Sequence, residues 1–306
     1  MTESYAITRY ELASSLLPPK WQRIARILPD WQKVRAEELR LRAGHPLTVL
    51  LPEGEQWIRG EKQEIAPQDL EQLCDAVTSY SRYALTDQIA QGYLTAPGGF
   101  RVGICGSAVM QEGKCCNIRR ISSASIRIAK ESRGISNEIL SQLMKNGEFC
   151  STIIVAPPGA GKTTLLRDLI RNLSNGTEDD PANRVSIADE RGEIAGMYHG
   201  LPQFDVGCHT DILETAPKAI AIPILLRSAN PQIIAVDEIT AQEDLQVMML
   251  AANCGVKLLA TIHAANLTEL RRKPLFTKLL RLQVFEKAVI ITCEGGKRQY
   301  AAEELL

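Results

Sequence analysis

The chain has 306 residues, of which 45% are hydrophobic, so it is long enough for two domains that each bury a core. Its 35 lysines and arginines nearly balance its 36 aspartates and glutamates, which argues against a protein that binds nucleic acid through net positive charge. Eight cysteines stand without paired spacing, which argues against a zinc site and against a disulfide framework. We therefore expect a globular protein with reduced thiols, and we do not expect nucleic acid as a partner.

The N-terminal residues lack the basic and apolar segments of a signal peptide. The longest apolar stretch, 216–226, is interrupted by Pro217, Lys218 and Pro223, and it falls short of the roughly 20 residues needed to cross a bilayer. These observations predict a cytoplasmic protein with no membrane span of its own. Any association with a membrane would then come through a protein partner or a surface patch.

The first half of the chain has the mixed pattern of an α+β domain. Its predicted elements, in order, are one or two helices within 12–28, a hairpin over 38–51, a helix after Pro67, two strands within 92–104, and strands over 115–118 and 124–128.

Gly134, at the centre of 132–136, marks the predicted boundary between an N-terminal domain of residues 1–133 and a C-terminal domain of residues 134–306. A helix over 137–145 is expected to lead into the second domain. Beyond it, apolar strands alternate with helical stretches, which is typical of an α/β domain with a mostly parallel sheet and helical crossovers.

Residues 156–164, Ala-Pro-Pro-Gly-Ala-Gly-Lys-Thr-Thr, follow an apolar strand and precede a helical pattern, which is the context of a phosphate-binding loop. Glycines in this loop let successive N–H groups face the β-phosphate of a nucleotide at the positive end of the helix. Lys162 would reach the β- and γ-phosphates, and the Thr163 hydroxyl would bind Mg²⁺. We therefore predict ATP and Mg²⁺ as ligands, with the nucleotide held by Pro158, Gly159, Ala160, Gly161, Lys162, Thr163 and Thr164.

The first position of this loop pattern holds Ala156 where glycine is usual. A methyl group is tolerated there if the residue stays extended at the end of the strand, a conformation that Pro157 favours in the residue before it. The alternative interpretation is a glycine-rich turn with a chance lysine, and it requires the whole strand, loop and helix pattern to arise by accident.

Two further apolar strands end in adjacent acids. Asp237 and Glu238 follow the strand 233–236 and form a Walker B pattern, in which Asp237 would hold Mg²⁺ through water and Glu238 would be the general base for an attacking water. Asp189 and Glu190 follow the strand 184–188. We interpret Glu190, or Asp189, as a residue that orients a water or the Mg²⁺ shell, and the alternative is a solvated turn.

A further strand, 256–262, ends at His263, which could hydrogen-bond the γ-phosphate or relay its presence, although a lone histidine is as often structural. Phosphoryl transfer also needs extra positive charge in its transition state. Arg227 is the arginine we select for this role from a group that also contains Arg191, Arg271 and Arg272. The pair Cys208 and His209 has no second pair at ligand spacing, so it does not predict a metal site.

Several of these segments together resemble one family, that of stage III sporulation protein AA, the mother-cell ATPase of endospore-forming bacteria. The resemblance rests on the phosphate-binding loop and on further stretches in both halves of the chain: 92–104, 189–196, 205–207, 210–213, 236–239, 242–244 and His263. The chain is also similar to the wider class of secretion and pilus ATPases, in which an acidic box, the Walker B acids and a histidine box follow in the order of Asp189–Glu190, Asp237–Glu238 and His263.

The resemblance implies a RecA-like P-loop NTPase domain behind a smaller α+β N-terminal domain. It also implies a homo-oligomeric ring, expected to be a hexamer, and membrane channel proteins of the sporulation apparatus as partners. ATP hydrolysis would energise a transenvelope channel between mother cell and forespore. The chain departs from the family pattern at Ala156, at His209 in place of an arginine, and at Thr240–Ala241 in place of a Gly-Arg pair. These departures predict either slow hydrolysis or a different way in which subunits trigger one another.

Two rival functions stay open at this stage. A nucleic-acid-remodelling motor also uses RecA-like domains, and Arg119, Arg120, Arg127 and Lys130 could form a basic strip, although no series of aromatic residues accompanies them. An ATP-switched scaffold would assemble on nucleotide binding with little turnover. A small-molecule kinase is less well supported, because no separate acceptor-site motif is present.

Overall fold

The computed structural model describes residues 3–58, 63–78, 86–128, 130–176, 180–294 and 297–305. The chain divides into two units, Met1–Glu131 with Gly196–Gln203, and Ser132–Ala195 with Phe204–Leu306. The short segment belongs with the N-terminal unit, where the side-chain oxygen of Gln203 accepts the Gly98 N–H at 3.0 Å. The division into domains of residues 1–133 and 134–306 stays a prediction.

The N-terminal unit begins with helices and continues with a sheet. Its described helices are α1 (Glu3–Ser15), α2 (Pro19–Arg26), α3 (Asp30–Arg35), α4 (Pro67–Val77) and α5 (Thr86–Ala90). Its strands are β1 (Glu38–Arg42), β2 (Thr48–Leu51), β3 (Gly54–Trp57), β4 (Tyr93–Ala96), β5 (Phe100–Gln111) and β6 (Lys114–Arg127).

These six strands form one antiparallel sheet in the order β3-β2-β1-β6-β5-β4. The inward side chains of the sheet pack with Tyr10 and Trp21 of the helices into a single apolar core. The first unit is therefore α+β, as the sequence predicted.

Strand β6 replaces the two separate strands predicted over 115–118 and 124–128. The polar residues between the predicted strands do not form a turn. Instead Arg120, at φ 48°, lies where the register of β5 and β6 shifts between Cys105 and Ser107. The extra residues are absorbed as an irregularity inside one long strand.

The C-terminal unit is built around a second sheet. Its helices are α6 (Asn137–Leu140), α7 (Lys162–Asn175), α8 (Lys218–Ser228), α9 (Gln242–Asn253), α10 (Leu267–Arg272) and α11 (Pro274–Arg281). Its strands are β7 (Met144–Lys145), β8 (Glu148–Phe149), β9 (Thr152–Ala156), β10 (Val185–Asp189), β11 (Thr210–Glu214), β12 (Ile233–Val236), β13 (Lys257–His263), β14 (Lys287–Glu294) and β15 (Lys297–Glu304).

Seven of these strands form a sheet in the order β11-β10-β12-β13-β9-β14-β15. Every neighbouring pair is parallel except β14 and β15, which are antiparallel. Strands β9 and β12 are buried at every position, which explains their uninterrupted apolar sequences. The mostly parallel α/β sheet predicted for this part of the chain is confirmed.

The helix predicted over 137–145 is wrong in its second half. Helix α6 ends at Leu140, a 3₁₀ turn covers Ser141–Leu143, and β7 pairs with β8 in a hairpin. The turn between them contains Asn146 at φ 53° and Gly147 at φ 79°. Asn-Gly is the preferred pair for a tight hairpin turn with positive φ at both positions, and this signal overrides the helical spacing. Across the described residues, each helix is too short or too polar to cross a bilayer.

Candidate active site

The predicted site residues meet because four neighbouring strands of the larger sheet end at the same edge. Strands β10, β12, β13 and β9 are adjacent and parallel, and the register pairs Ala156 with His263 at the ends of β9 and β13. The segments that follow these four strands carry the glycine-rich loop, the paired acids and the histidine. Ligands of open parallel sheets bind at this edge.

The loop after β9 has the conformation that phosphate binding requires. Gly159 at φ 75° and Gly161 at φ 98° both adopt left-handed angles, and Gly161 is the residue that caps the start of α7. Ala156 is the buried last residue of β9, so its methyl group lies on an extended backbone and needs no left-handed angle. Pro158 and Gly159 are exposed, so the loop is open to a ligand.

Lys162 is the first residue of α7, and its side chain is buried. Its Nζ donates to the carbonyl oxygens of Ala156 and Pro157, both at 2.9 Å, and lies 2.7 Å from Nδ1 of His263. Burial lowers the pKa of Lys162, and the nearby carboxylates of Asp237 and Glu238 oppose that shift. The ammonium group is thus held inside the loop by groups that a phosphate could replace.

Thr163 and Asp237 form a second contact across the site. The Thr163 hydroxyl donates to Oδ2 of Asp237 at 2.7 Å, while the buried Thr261 hydroxyl donates to Oδ1 of the same carboxylate. The backbone N–H of Glu238 in turn donates to the Thr261 oxygen at 2.8 Å. Thr261 therefore orients both acids, although it was not among the predicted site residues. The one signal in the sequence was a hydroxyl within the apolar strand β13.

Glu238 is held on both sides of its carboxylate. Its Oε1 contacts Nε2 of His263, and its Oε2 accepts from Nη1 of Arg191. Its backbone adopts φ 54°, an uncommon angle for a residue other than glycine. His263 therefore bridges Lys162 and Glu238, one ring nitrogen to each.

Asp189 and Glu190 differ in their surroundings. The buried carboxylate of Asp189 accepts backbone N–H groups of Glu193, Ile194 and Ala195, at 2.9 to 3.2 Å. Burial raises its pKa, and these hydrogen bonds oppose the rise. This network fixes the loop after β10, and the role predicted for Glu190, or Asp189, in orienting a water or the Mg²⁺ shell stays a prediction.

Glu190 is bound by a residue that the sequence did not indicate. Nζ of Lys218, at the start of α8, donates to its Oε2 at 2.5 Å, and the lysine is only 5% exposed. Glu190 lies at the same sheet edge as Glu238 but is engaged by this buried cation.

Arg227 is not brought into this cluster. It is exposed in the last turn of α8, which leads to the first residue of β12 and thus to the opposite edge of the sheet. Of the other arginines considered from the sequence, Arg191 is the one that contacts Glu238.

The Cys208 and His209 pair lies before β11, at the edge where the strands begin. The ring Nδ1 of His209 is 3.2 Å from the Cys208 sulfur and 2.8 Å from the carbonyl oxygen of Ser174. Among the residues that the structure describes, no group of three or more histidine, cysteine or acidic side chains could hold a metal ion.

The residues at the loop fit a magnesium nucleotide. Mg²⁺ prefers oxygen ligands and is usually held by one or two protein groups together with the phosphates of a substrate, so no cage of several protein ligands is required. Thr163 and Asp237 supply an adjacent hydroxyl and carboxylate. The open loop with left-handed glycines and a buried lysine supplies the phosphate site.

Sequence comparison finds relatives along nearly the whole chain. A family model described as "Sporulation stage III, protein AA" matches residues 16–301. The chain is 32% identical over 287 residues to the stage III sporulation protein AA of Bacillus subtilis (strain 168), which is 92% of this chain and 91% of that protein.

Solved structures share the fold at lower identity. The ATPase DotB of Legionella pneumophila superposes with a TM-score of 0.58 at 14% identity, over 92% of this chain and 79% of that one. The pilus retraction motor PilT, solved with bound ADP, superposes with a TM-score of 0.57 at 18% identity, over 87% of this chain and 78% of that one. The chain thus shares its fold with these two proteins, and the predicted RecA-like α/β fold class is confirmed.

Proposed function

We propose, from the premise that this chain belongs to the stage III sporulation protein AA family, that it is a Mg²⁺-dependent ATPase that works as a homo-oligomer. Its hydrolysis of ATP would energise a transenvelope channel between mother cell and forespore. The observation that supports the proposal best is the convergence of Lys162, Thr163, Asp237, Glu238 and His263 around one open glycine loop.

Nucleotide binding begins with an exchange of partners at Lys162. In the structure, the Lys162 ammonium contacts two backbone carbonyl oxygens and His263. The β- and γ-phosphate oxygens carry full negative charge and are stronger acceptors than carbonyls, so they draw the ammonium away. The N–H groups of the loop and the start of α7 supply further donors to the β-phosphate.

Thr163 and Asp237 are the residues that would hold Mg²⁺. When bound, the ion supplies positive charge that offsets the charge developing on the transferred phosphoryl group. The protein keeps the Thr163 hydroxyl and the Asp237 carboxylate adjacent to each other. Thr261 helps to hold this arrangement through its hydrogen bond to Oδ1 of Asp237.

Glu238 is the group that would accept the proton of the attacking water. Its contacts to His263 and Arg191 keep the carboxylate beside the loop. Because His263 contacts both Lys162 and Glu238, a movement of the lysine towards phosphate also changes the surroundings of the base. We assign His263 the role of coupling phosphate binding to the position of Glu238.

The oligomer and its partners belong to the same proposal. Ring assembly, arginine donation between subunits and docking on membrane channel proteins are properties that the family resemblance implies. Arg227, exposed and remote from the cluster of its own subunit, stays a candidate for supplying charge to a neighbouring subunit.

Paired substitutions test the proposal. Lys162→Ala is expected to abolish ATP binding, because it removes the cation inside the loop. Glu238→Gln is expected to bind ATP with little change and to stop turnover, because an amide cannot accept the proton. Titration calorimetry measures ATP binding and a phosphate-release assay measures turnover, each for the parent and both variants. Equal turnover of Glu238→Gln and the parent would contradict the assignment of Glu238 as the base.

Light scattering with and without ATP completes the test. ATP-dependent assembly without phosphate release by the parent would favour the scaffold function over the motor. Stimulation of phosphate release by DNA, lost at high salt, would favour a nucleic-acid motor.

A further inference from the structure

The side chain of Arg298 lies against the glycine that begins the phosphate-loop helix. A methyl group added at Gly161 would be 3.0 Å from Nε and 3.1 Å from Cζ of Arg298. These distances mean that the guanidinium lies against Gly161 where a side chain would begin in any other residue. A glycine at a ligand site permits close approach to the backbone, and here Arg298 occupies that approach.

The position of Arg298 is set by the sheet. It lies on β15, opposite Cys293 of β14, and β14 pairs directly with β9, the strand that leads into the loop. Strand β15 therefore lies two strand spacings from β9, which is about 10 Å across the sheet. An arginine side chain can cover much of that distance. The final hairpin thus brings a cation to the loop from the side opposite His263.

The charge of Arg298 is not neutralised within the described part of the chain. No described carboxylate forms an ion pair with it, and its positive charge opposes the rise that burial causes in the pKa of Tyr300. The guanidinium is exposed and lies beside a loop whose N–H groups also attract anions. The guanidinium and the loop N–H groups are both hydrogen-bond donors, and together they match the oxygens of a phosphate chain.

We infer that Arg298 is a nucleotide-contacting residue, whose guanidinium donates to the α- and β-phosphate oxygens of a nucleotide in the loop. This inference rests on the proposed function and extends it, because it assigns a second cation besides Lys162 to the same site. It also gives the C-terminal hairpin a direct contact with the ligand.

The test compares Arg298→Ala and Arg298→Lys with the parent in the full-length chain. ADP and inorganic pyrophosphate are the probes, each measured by competition against a fluorescent ADP. Arg281→Ala is the matched control, because Arg281 is exposed in the last turn of α11. Thermal unfolding without nucleotide reports whether each variant is folded.

Arg298→Ala is expected to weaken the binding of ADP and of pyrophosphate alike, by about tenfold to a hundredfold. This is the range for the loss of hydrogen bonds from a charged group. Arg298→Lys should lose less, since it keeps the charge but not the fork of donors, and Arg281→Ala should stay within about twofold of the parent. The unfolding midpoint without nucleotide should not change.

Three outcomes would overturn the inference. If the parent binds ADP and Arg298→Ala binds it equally well, the contact at Gly161 is packing alone, and the proposed function stands. If Arg298→Ala weakens ADP but not pyrophosphate, the contact is to the nucleoside and the phosphate assignment is wrong. If the parent binds neither probe, the proposed function fails and this inference fails with it.

Discussion

The backbone N–H of Glu238 donates to the hydroxyl of Thr261 at 2.8 Å, so the predicted general base is positioned by a residue on the neighbouring strand. The same hydroxyl donates to Asp237, and Thr261 is fully buried. A single side chain thus sets the relative position of the two acids, and the left-handed φ of Glu238 is stabilised by this contact.

Thr261→Val is expected to reduce turnover at least tenfold with a smaller effect on ATP affinity, because the Glu238 N–H loses its acceptor and Asp237 loses a donor. Thr261→Ser keeps the hydroxyl and should retain most of the activity. Thr277→Val is the control, since the Thr277 hydroxyl donates only to backbone carbonyls of Arg271 and Lys273. Phosphate-release assays that find Thr261→Val as active as Thr261→Ser would contradict this role.

Arg191→Gln is expected to lower turnover about tenfold while ATP binding changes by less than about threefold. The reason is that Arg191 contacts the carboxylate of Glu238 rather than the phosphate loop. Arg184→Gln provides the comparison, because Arg184 donates to the carbonyl of Asn230 before β10 begins. A large loss of ATP affinity in Arg191→Gln would instead indicate a direct contact with phosphate.

Glu190→Ala is expected to lower the free energy of unfolding by about 1–2 kcal/mol, because it leaves the buried ammonium of Lys218 without its carboxylate. The expected loss of stability is small because Glu190 itself is partly exposed. The double variant Glu190→Ala with Lys218→Met should recover much of the loss, which urea unfolding measures. Loss of turnover with unchanged stability would point back to the water-orienting role predicted for Glu190.

Asp168→Asn tests the anchoring of residues 134–136 to α7. Burial alone would raise the pKa of Asp168, but hydrogen bonds from Ser136, Arg171 and Gly134 outweigh it and lower the pKa below the ordinary value of an aspartate. A lowered pKa means that the charged group stabilises the fold above its unfolded pKa and that this stability is lost as pH falls through the folded pKa.

The variant should therefore be less stable than the parent at pH 7, by about 1–3 kcal/mol, and the difference should shrink below about pH 4. Urea unfolding at both pH values measures it, with Asp211→Asn as the control because Asp211 is exposed on β11. A difference that is the same at both pH values would show that the charge of Asp168 is not what stabilises the fold.

The sequence predicted the larger sheet well because its strands are short apolar runs that end in polar motifs. It predicted less of the N-terminal unit, where α3 begins directly after Pro29 and so lies beyond the helical segment predicted within 12–28. Proline fits the start of a helix as readily as it ends one, so the local signal was ambiguous.

Some residues of the site could likewise be predicted from the sequence, and others could not. The loop, the paired acids and His263 follow from motifs within single segments. Thr261, Lys218 and Arg298 act through contacts that depend on strand order and register, which one sequence does not specify. The position of Arg227 at the far edge likewise follows from the direction of α8.

The placement of residues 196–203 with the N-terminal unit has a consequence for synthesis of the chain. The ribosome releases residues 132–195, including the loop helix and β10, before it releases Gln203, which accepts the Gly98 N–H. The first unit is therefore not complete until residues 132–195 of the second unit have been translated. A fragment that ends at Arg133 would lack this acceptor, and a growing chain would hold its N-terminal unit unfinished until the nucleotide loop had emerged.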